Sequence, residues 1–379
     1  MIPVIKPYFG EEEAEAAAAV VRSGWVAQGP KVAEFERAFA GYLGVEAGVA
    51  VSSCTTGLHL MLDVLGIGPG DEVVVPSLSF IATANAVRYC AATPVFADVD
   101  PATGNLAWET VEPVLTERTR AVLVVHQAGV PADLEPIRSG ARQRGIAVVE
   151  DAACAAGSTY RGRPVGMGAP AAAWSFHPRK VLTTGEGGMV TTDRPEWAGR
   201  MRRLREHGMD VSAADRHRAM QPVIERYLEV GFNYRMTDIQ AAVGLVQLAK
   251  LEQMVQRRRS LAERYQRMLA EVPGIRTVAD PPYGTTNFQS FWVELDDYFP
   301  VGRDELLGLL HANGVSGRRG IMATHLEPAY SGHPRAPLPV TERITAQTLI
   351  LPLYHTLSEV EQERVVAVLT AAAKGKGAA

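Results

Sequence analysis

Short β-branched runs alternate with helical patterns through the first part of the chain. Gly48 to Ser52 reads as a strand, followed by a small-residue turn and an apolar helix from about Thr56 to Leu65. Glu72 to Pro76 is the next strand, a helix runs from Ile81 to Cys90, and Thr93 to Ala97 is a strand again. Ala121 to Val125 and Ile146 to Glu150 follow, flanking a helix from about Leu134 to Arg144. Ala171 to Ser175 and Met189 to Thr192 read as a strand pair around a Gly-rich turn. Such alternation predicts an α/β fold with a mostly parallel central sheet.

After Asp238 the pattern changes to one long amphipathic helix, roughly through Leu269. Beyond it, Ser290 to Leu295 and the stretch from Asp304 to Val315 predict a smaller α/β unit with its own sheet. The expected division is a large domain over 1–245, N-terminal segment included, and a small C-terminal domain over 246–379. The tail from Ala371 is low in complexity and expected to fray.

The 379 residues suffice for two such domains. A formal net charge of -4 without a long run of one sign points away from nucleic-acid and anionic-membrane surfaces. A pocket for an anion needs only a few local donors, so a specific anionic ligand stays open. The N-terminus lacks the basic-then-apolar pattern of a signal peptide, and no apolar run reaches the ~20 residues of a membrane span. Cys54, Cys90 and Cys154 are odd in number and lack metal-ligand spacing, so the expectation is a reduced cytoplasmic protein without a metal.

Ligands of open α/β sheets gather beyond the carboxyl ends of strands. The first strand ends in Ser52-Ser-Cys-Thr-Thr-Gly57, directly before a helix. Its backbone N–H groups and hydroxyls suit a phosphate, although Ser and Thr also serve as ordinary N-caps. Phe80, just after the second strand, is placed either to stack on a flat ring or to join the core. Glu150-Asp151 closes an apolar strand. One carboxylate could be exposed and the other cap the next helix, or an Asp could hold a heterocyclic nitrogen protonated. Finally, Lys180 lies between an apolar strand and a Gly-rich turn, five residues after Ser175. A lysine there is either a solvated charge or an amine activated, as its pKa falls, to form Schiff bases. Phosphate turn, aromatic, strand-end Asp and Ser-x-x-x-x-Lys together are the parts of a pyridoxal-phosphate site.

With these segments in order, the sequence resembles the DegT/DnrJ/EryC1/StrS family of sugar aminotransferases, which have fold type I architecture. The likeness covers nearly the whole chain. It includes Ser23 to Pro30, Gly66 to Pro76, Glu150 to Ala153, the Lys180 segment, Gly231 to Asp238, His325 to Tyr330 and Leu351 to Tyr354. The resemblance implies Lys180 as the Schiff-base lysine, Asp151 as partner of the pyridine nitrogen and Phe80 as cover of the ring. It implies Thr55, Thr56 and Ser175 as phosphate binders, joined by Asn233 reaching into a neighbouring subunit, hence a homodimer with shared sites. Trp25, Arg235, His325 and Tyr330 fall in motifs near the substrate. One position departs from the pattern. Three residues after the Asp the family commonly carries Gln or His, and this chain has Cys154, which the sequence assigns to packing.

The implied activity is transfer of an amino group from L-glutamate to a nucleotide-linked keto sugar, a 4-keto-6-deoxyhexose, with pyridoxal 5'-phosphate as cofactor. Amination at C3 or of a keto cyclitol is the nearest alternative. The family's dehydrating branch has His in place of the lysine, which Lys180 opposes, and a non-catalytic regulatory protein would not need Lys180, Asp151 and Asn233 together.

Overall fold

The computed structural model describes residues 1–212 and 220–375. The tail expected to fray is helical as far as Ala373, and 376–379 lie outside the described residues. The chain opens with two helices that the strand pattern did not reveal, α1 (Glu11–Ser23) and α2 (Pro30–Leu43). Then come β1 (Ala47–Val51), α3 (Cys54–Val64), β2 (Glu72–Pro76), α4 (Ala82–Tyr89), β3 (Thr93–Ala97), α5 (Trp108–Val111) and β4 (Thr119–Val125). They are followed by α6 (Leu134–Arg142), β5 (Ala147–Asp151), β6 (Thr159–Tyr160), β7 (Arg163–Pro164), β8 (Ala172–Ser175), β9 (Gly188–Thr192) and α7 (Pro195–Leu204).

The central sheet has the order β1-β9-β8-β5-β4-β2-β3. From β8 to β3 neighbouring strands are parallel, whereas β9 is antiparallel to both β1 and β8. Every residue of β2 is buried, as a strand covered by helices on both faces requires. The sheet is mostly parallel, as the strand pattern predicts.

The long helix α8 (Asp238–Leu269) begins and ends where its periodicity predicts. Its start is a capping box: Thr237 Oγ1 accepts from Gln240 N at 3.2 Å, and Gln240 Oε1 accepts from Thr237 N at 2.9 Å. The Asp238 carboxylate also accepts from the backbone N–H of Gly29 (2.8 Å), Lys31 (3.1 Å) and Val32 (2.9 Å), so it satisfies the open first turn of α2 as well.

Beyond α8 lie β10 (Ile275–Thr277), β11 (Gly284–Thr285), β12 (Phe291–Leu295), α9 (Arg303–Ala312), β13 (Arg318–Arg319), α10 (Pro339–Gln347), β14 (Thr348–Leu351) and α11 (Glu359–Ala373). A second, antiparallel sheet has the order β10-β12-β14-β13, while β11 pairs with β6 and ties the two units together. The hydrophobic core changes within α8. Leu251, Met254 and Val255 pack with Trp174 and Met189, but Leu261, Tyr265 and Leu269 pack with Phe291, Leu349 and Leu369. The expected boundary at 245/246 therefore falls inside one uninterrupted helix. Ile2, assigned by sequence to the large domain, sits in the core of the smaller unit and exchanges backbone bonds with Gly314 (2.8 Å) and Ser316 (2.9 Å). That pairing joins residues more than 300 positions apart and leaves no local trace.

Candidate active site

Because β9 runs backwards, its first residue, Gly188, faces both Val51 at the end of β1 and Ser175 at the end of β8. A Cβ on Gly188 would lie 2.6 Å from Cys54 N, so only glycine lets this strand meet the start of α3. A cavity of about 250 Å³ opens over this edge. Its wall takes Ser53 and Thr55 from the α3 start, Phe80 and Thr83 beyond β2, Asp151 and Cys154 at the end of β5, and Ser175 and Lys180 after β8.

The hydroxyls at the α3 start are divided between the helix cap and the cavity wall. Ser53 is the N-cap, its Oγ accepting from Thr56 N at 3.2 Å while Thr56 Oγ1 donates to Ser53 O at 2.8 Å. The Thr56 hydroxyl is thus engaged in the cap and stays out of the cavity lining, whereas Thr55 lines it. The first-turn N–H groups and the positive end of the helix dipole make this wall receptive to an anion.

Asp151 closes β5 and is buried. Its Oδ2 accepts from Thr83 Oγ1 at 2.9 Å, with Ser79 Oγ 2.8 Å behind that hydroxyl, and its Oδ1 accepts from Ala153 N at 3.1 Å. Burial pushes its carboxyl above the ordinary value despite Thr83, Ala153 and Lys180, which act the other way. Glu150, one residue earlier, turns to the opposite face of the strand. There it meets Arg138 at 2.5 Å and His126 Nε2 at 3.1 Å and accepts from Gly166 N at 3.0 Å. Neither carboxylate is exposed, and neither caps a helix, which corrects the simpler sequence alternative. The pair serves two sides of the sheet.

Lys180 Nζ lies 3.0 Å from Cys154 Sγ. Burial by itself would push the ammonium down, but Cys154, Cys54 and Asp151 hold it above its ordinary value. The fall expected from desolvation is outweighed. Gln289, from the smaller unit, grips the backbone on both sides: its Oε1 accepts from Val181 N at 2.9 Å and its Nε2 donates to Arg179 O. Nothing in the local sequence marks Gln289, Thr83 or Ser79 for these tasks.

A second cavity of about 280 Å³ shares Phe80, Gln127, Cys154, Arg179 and Lys180 with the first and extends to Arg318, Ile321 and Trp292 of the smaller unit. Lys180 therefore stands where the two spaces join. Phe80 is 68% exposed and borders both, so it is not a core residue. The remaining sequence candidates lie outside both linings. His325 is buried, with Nδ1 2.6 Å from Ser77 Oγ and Nε2 3.3 Å from Glu342. Tyr330 donates to Asn85 Oδ1 at 2.8 Å, and Trp25 Nε1 donates to Gln28 O at 3.2 Å. Asn233 is exposed and bridges Glu206 through the backbone, with half-buried Arg235 two residues on.

Residues 7–370 match the DegT/DnrJ/EryC1/StrS aminotransferase family. The chain belongs to this family. It is 40% identical over 372 residues to the GDP-perosamine synthase of Caulobacter vibrioides, covering 97% of each chain. Its fold is similar to that of the aminotransferase TlmJ from Streptoalloteichus hindustanus, with TM-score 0.91, 40% identity and 99% of each chain covered. It is also similar to the putative sugar aminotransferase Spr1654 of Streptococcus pneumoniae in its PLP form, with TM-score 0.91, 27% identity and 99% of each chain covered.

This family member is a sugar aminotransferase, and its cofactor is pyridoxal 5'-phosphate. The cavity fits that molecule. The α3 start, Thr55 and Ser175 would offer an anion-receptive end to the phosphate, and Lys180 would offer an amine to the aldehyde. The buried Asp151 carboxylate, raised by its surroundings, would gain from a protonated ring nitrogen held against it.

Proposed function

We propose that this aminotransferase moves an amino group from L-glutamate to a nucleotide-linked 4-keto-6-deoxyhexose, with Lys180 and Asp151 as its catalytic residues. The observation that carries the reading is the position of Lys180 in the wall of both cavities, with buried Asp151 lining one of them. The name of the Caulobacter relative, a GDP-perosamine synthase, supports a nucleotide-linked sugar as acceptor.

Thr55 and Ser175, with the α3 backbone, would hold the phosphate, Thr56 holds that turn in shape, and Phe80 would cover the ring. Pyridoxal phosphate supplies an electron sink that stabilises the carbanion left when a C–H bond next to the transferred nitrogen breaks. Asp151 would hold positive charge on the ring nitrogen. Lys180 Nζ takes the proton from carbon on one side and returns it on the other, acting as base and then as acid. Arg179 and Arg318, which border the second cavity, orient the carboxylates of glutamate and the diphosphate of the sugar nucleotide. Gln289 keeps the Lys180 backbone in register. The reaction takes place in the cytosol.

Adding L-glutamate to the purified holoenzyme is expected to bleach its visible absorbance, and a nucleotide-linked 4-keto-6-deoxyhexose to restore it. No bleaching would remove glutamate as donor. Restoration by a 3-keto sugar or a keto cyclitol alone would remove the proposed acceptor.

The enzyme works as a homodimer in which the partner subunit's Asn233 completes the phosphate site, in keeping with its exposure and its place outside the lining within its own chain. Lys180→Ala and Asn233→Asp are each expected to be inactive. Mixed dimers carry one site with both lesions and one with neither, so activity should return in part after subunit exchange. Exchange verified by mass without any recovery rules out the shared site.

A further inference from the structure

The sulfur 3.0 Å from the catalytic amine has no place in the chemistry above. Cys154 is a free, half-buried cysteine lining both cavities, so a small oxidant can reach it from either. Cys54 lines the first cavity too, but it is buried, and burial foremost, followed by Asp151, pushes its thiol well up, which keeps it protonated and unreactive. Lys180 Nζ donates its hydrogen bond to Cys154, so nitrogen and sulfur already point at one another.

We propose that Cys154 and Lys180 are a modification site, at which a peroxide drives formation of a reversible sulfur–nitrogen link that takes the amine out of service. The consequence for activity rests on the reading of Lys180 as the amine that holds the cofactor. In the first step the Cys154 sulfur attacks a peroxide oxygen. The S–O bond forms, the O–O bond breaks, the thiol proton ends on the departing water, and sulfur loses the two electrons that peroxide gains. In the second step Lys180 gives up its extra proton to solvent water, the nitrogen lone pair attacks sulfur, and the sulfenic hydroxide takes a second proton from nitrogen. The S–N bond forms, the S–O bond breaks and water leaves. A small thiol reverses the link by attacking sulfur and expelling the amine, and a second thiol frees Cys154 as a disulfide forms.

The link needs a free Nζ. The resting holoenzyme, whose lysine is occupied, resists it, and the enzyme carrying the transferred amino group on its cofactor does not. A family position usually filled by Gln or His thus becomes, with Cys154, a means of stopping turnover under oxidative conditions.

The test is peptide mass mapping of the holoenzyme treated with hydrogen peroxide, with and without L-glutamate, digested without reductant. The expected product joins the Cys154 and Lys180 peptides with the loss of two hydrogens. It should form mainly in the glutamate-treated sample, disappear with dithiothreitol, and be absent from Cys154→Ser and from Lys180→Arg. A Cys54–Cys154 disulfide loses the same two hydrogens, so the joined peptides must be sequenced, with Cys54→Ser as the second variant. Finding that disulfide, or only sulfinic and sulfonic Cys154, overturns the proposal. A Cys154–Lys180 link formed equally in both samples supports the site and counts against Lys180 as the cofactor's amine.

Discussion

Lys180→Ala is expected to lower the rate of transamination by roughly a thousandfold or more while leaving the fold in place. The amine has two tasks, holding the cofactor and carrying the proton, and loss of proton transfer alone typically removes about 10²- to 10⁴-fold. Its contribution to stability is small by comparison. The side chain stands at the junction of two cavities rather than in a hydrophobic core, and its hydrogen bond runs to a thiol, a weak acceptor. The melting temperature of the cofactor-free variant should match that of the wild type. The half-reaction with glutamate, followed by absorbance, should be absent on the timescale of normal turnover. Full turnover of the variant with no added amine would remove Lys180 from the mechanism.

Asp151→Asn separates activity from stability in a second way. An amide cannot balance a positive charge on the ring nitrogen, so the half-reaction with glutamate should slow by about 10²- to 10³-fold, the range for losing one preorganised electrostatic partner. The cofactor-free protein should respond in the opposite sense. Burial, the largest influence, raises the Asp151 carboxyl above its ordinary value. The stability it contributes is therefore fully present below the unfolded value, near pH ~3.9, and is lost as pH rises through the folded one. Asparagine does not ionise. At neutral pH the cofactor-free variant should be at least as stable as the wild type, and that difference should close in acid. Thermal melts at both pH values, after removal of the cofactor, check the sign. A neutral-pH loss of stability together with a normal half-reaction would mean that Asp151 is a structural carboxylate.

Much of this protein is legible without a structure, for a local reason. Burial of both faces writes unbroken apolar runs into β2 and β4, and the period of a helix writes itself into α8, whose ends at Asp238 and Leu269 are those the pattern predicts. Strand ends then follow, and since ligands of such sheets lie beyond strand ends, Thr55, Phe80, Asp151, Ser175 and Lys180 could be picked out before their meeting in one cavity was seen. The tertiary structure decided what depends on partners distant in sequence. It turned Glu150 to Arg138 and His126 and left Asp151 in the cavity, brought Gln289 to both sides of Lys180, carried Ile2 into the smaller core and set Cys154 against the amine. Local patterning records whether a residue is buried and in which element, because those properties repeat with the period of the backbone. Which side chain lies against which is set by the packing of whole elements, and no window of sequence contains it.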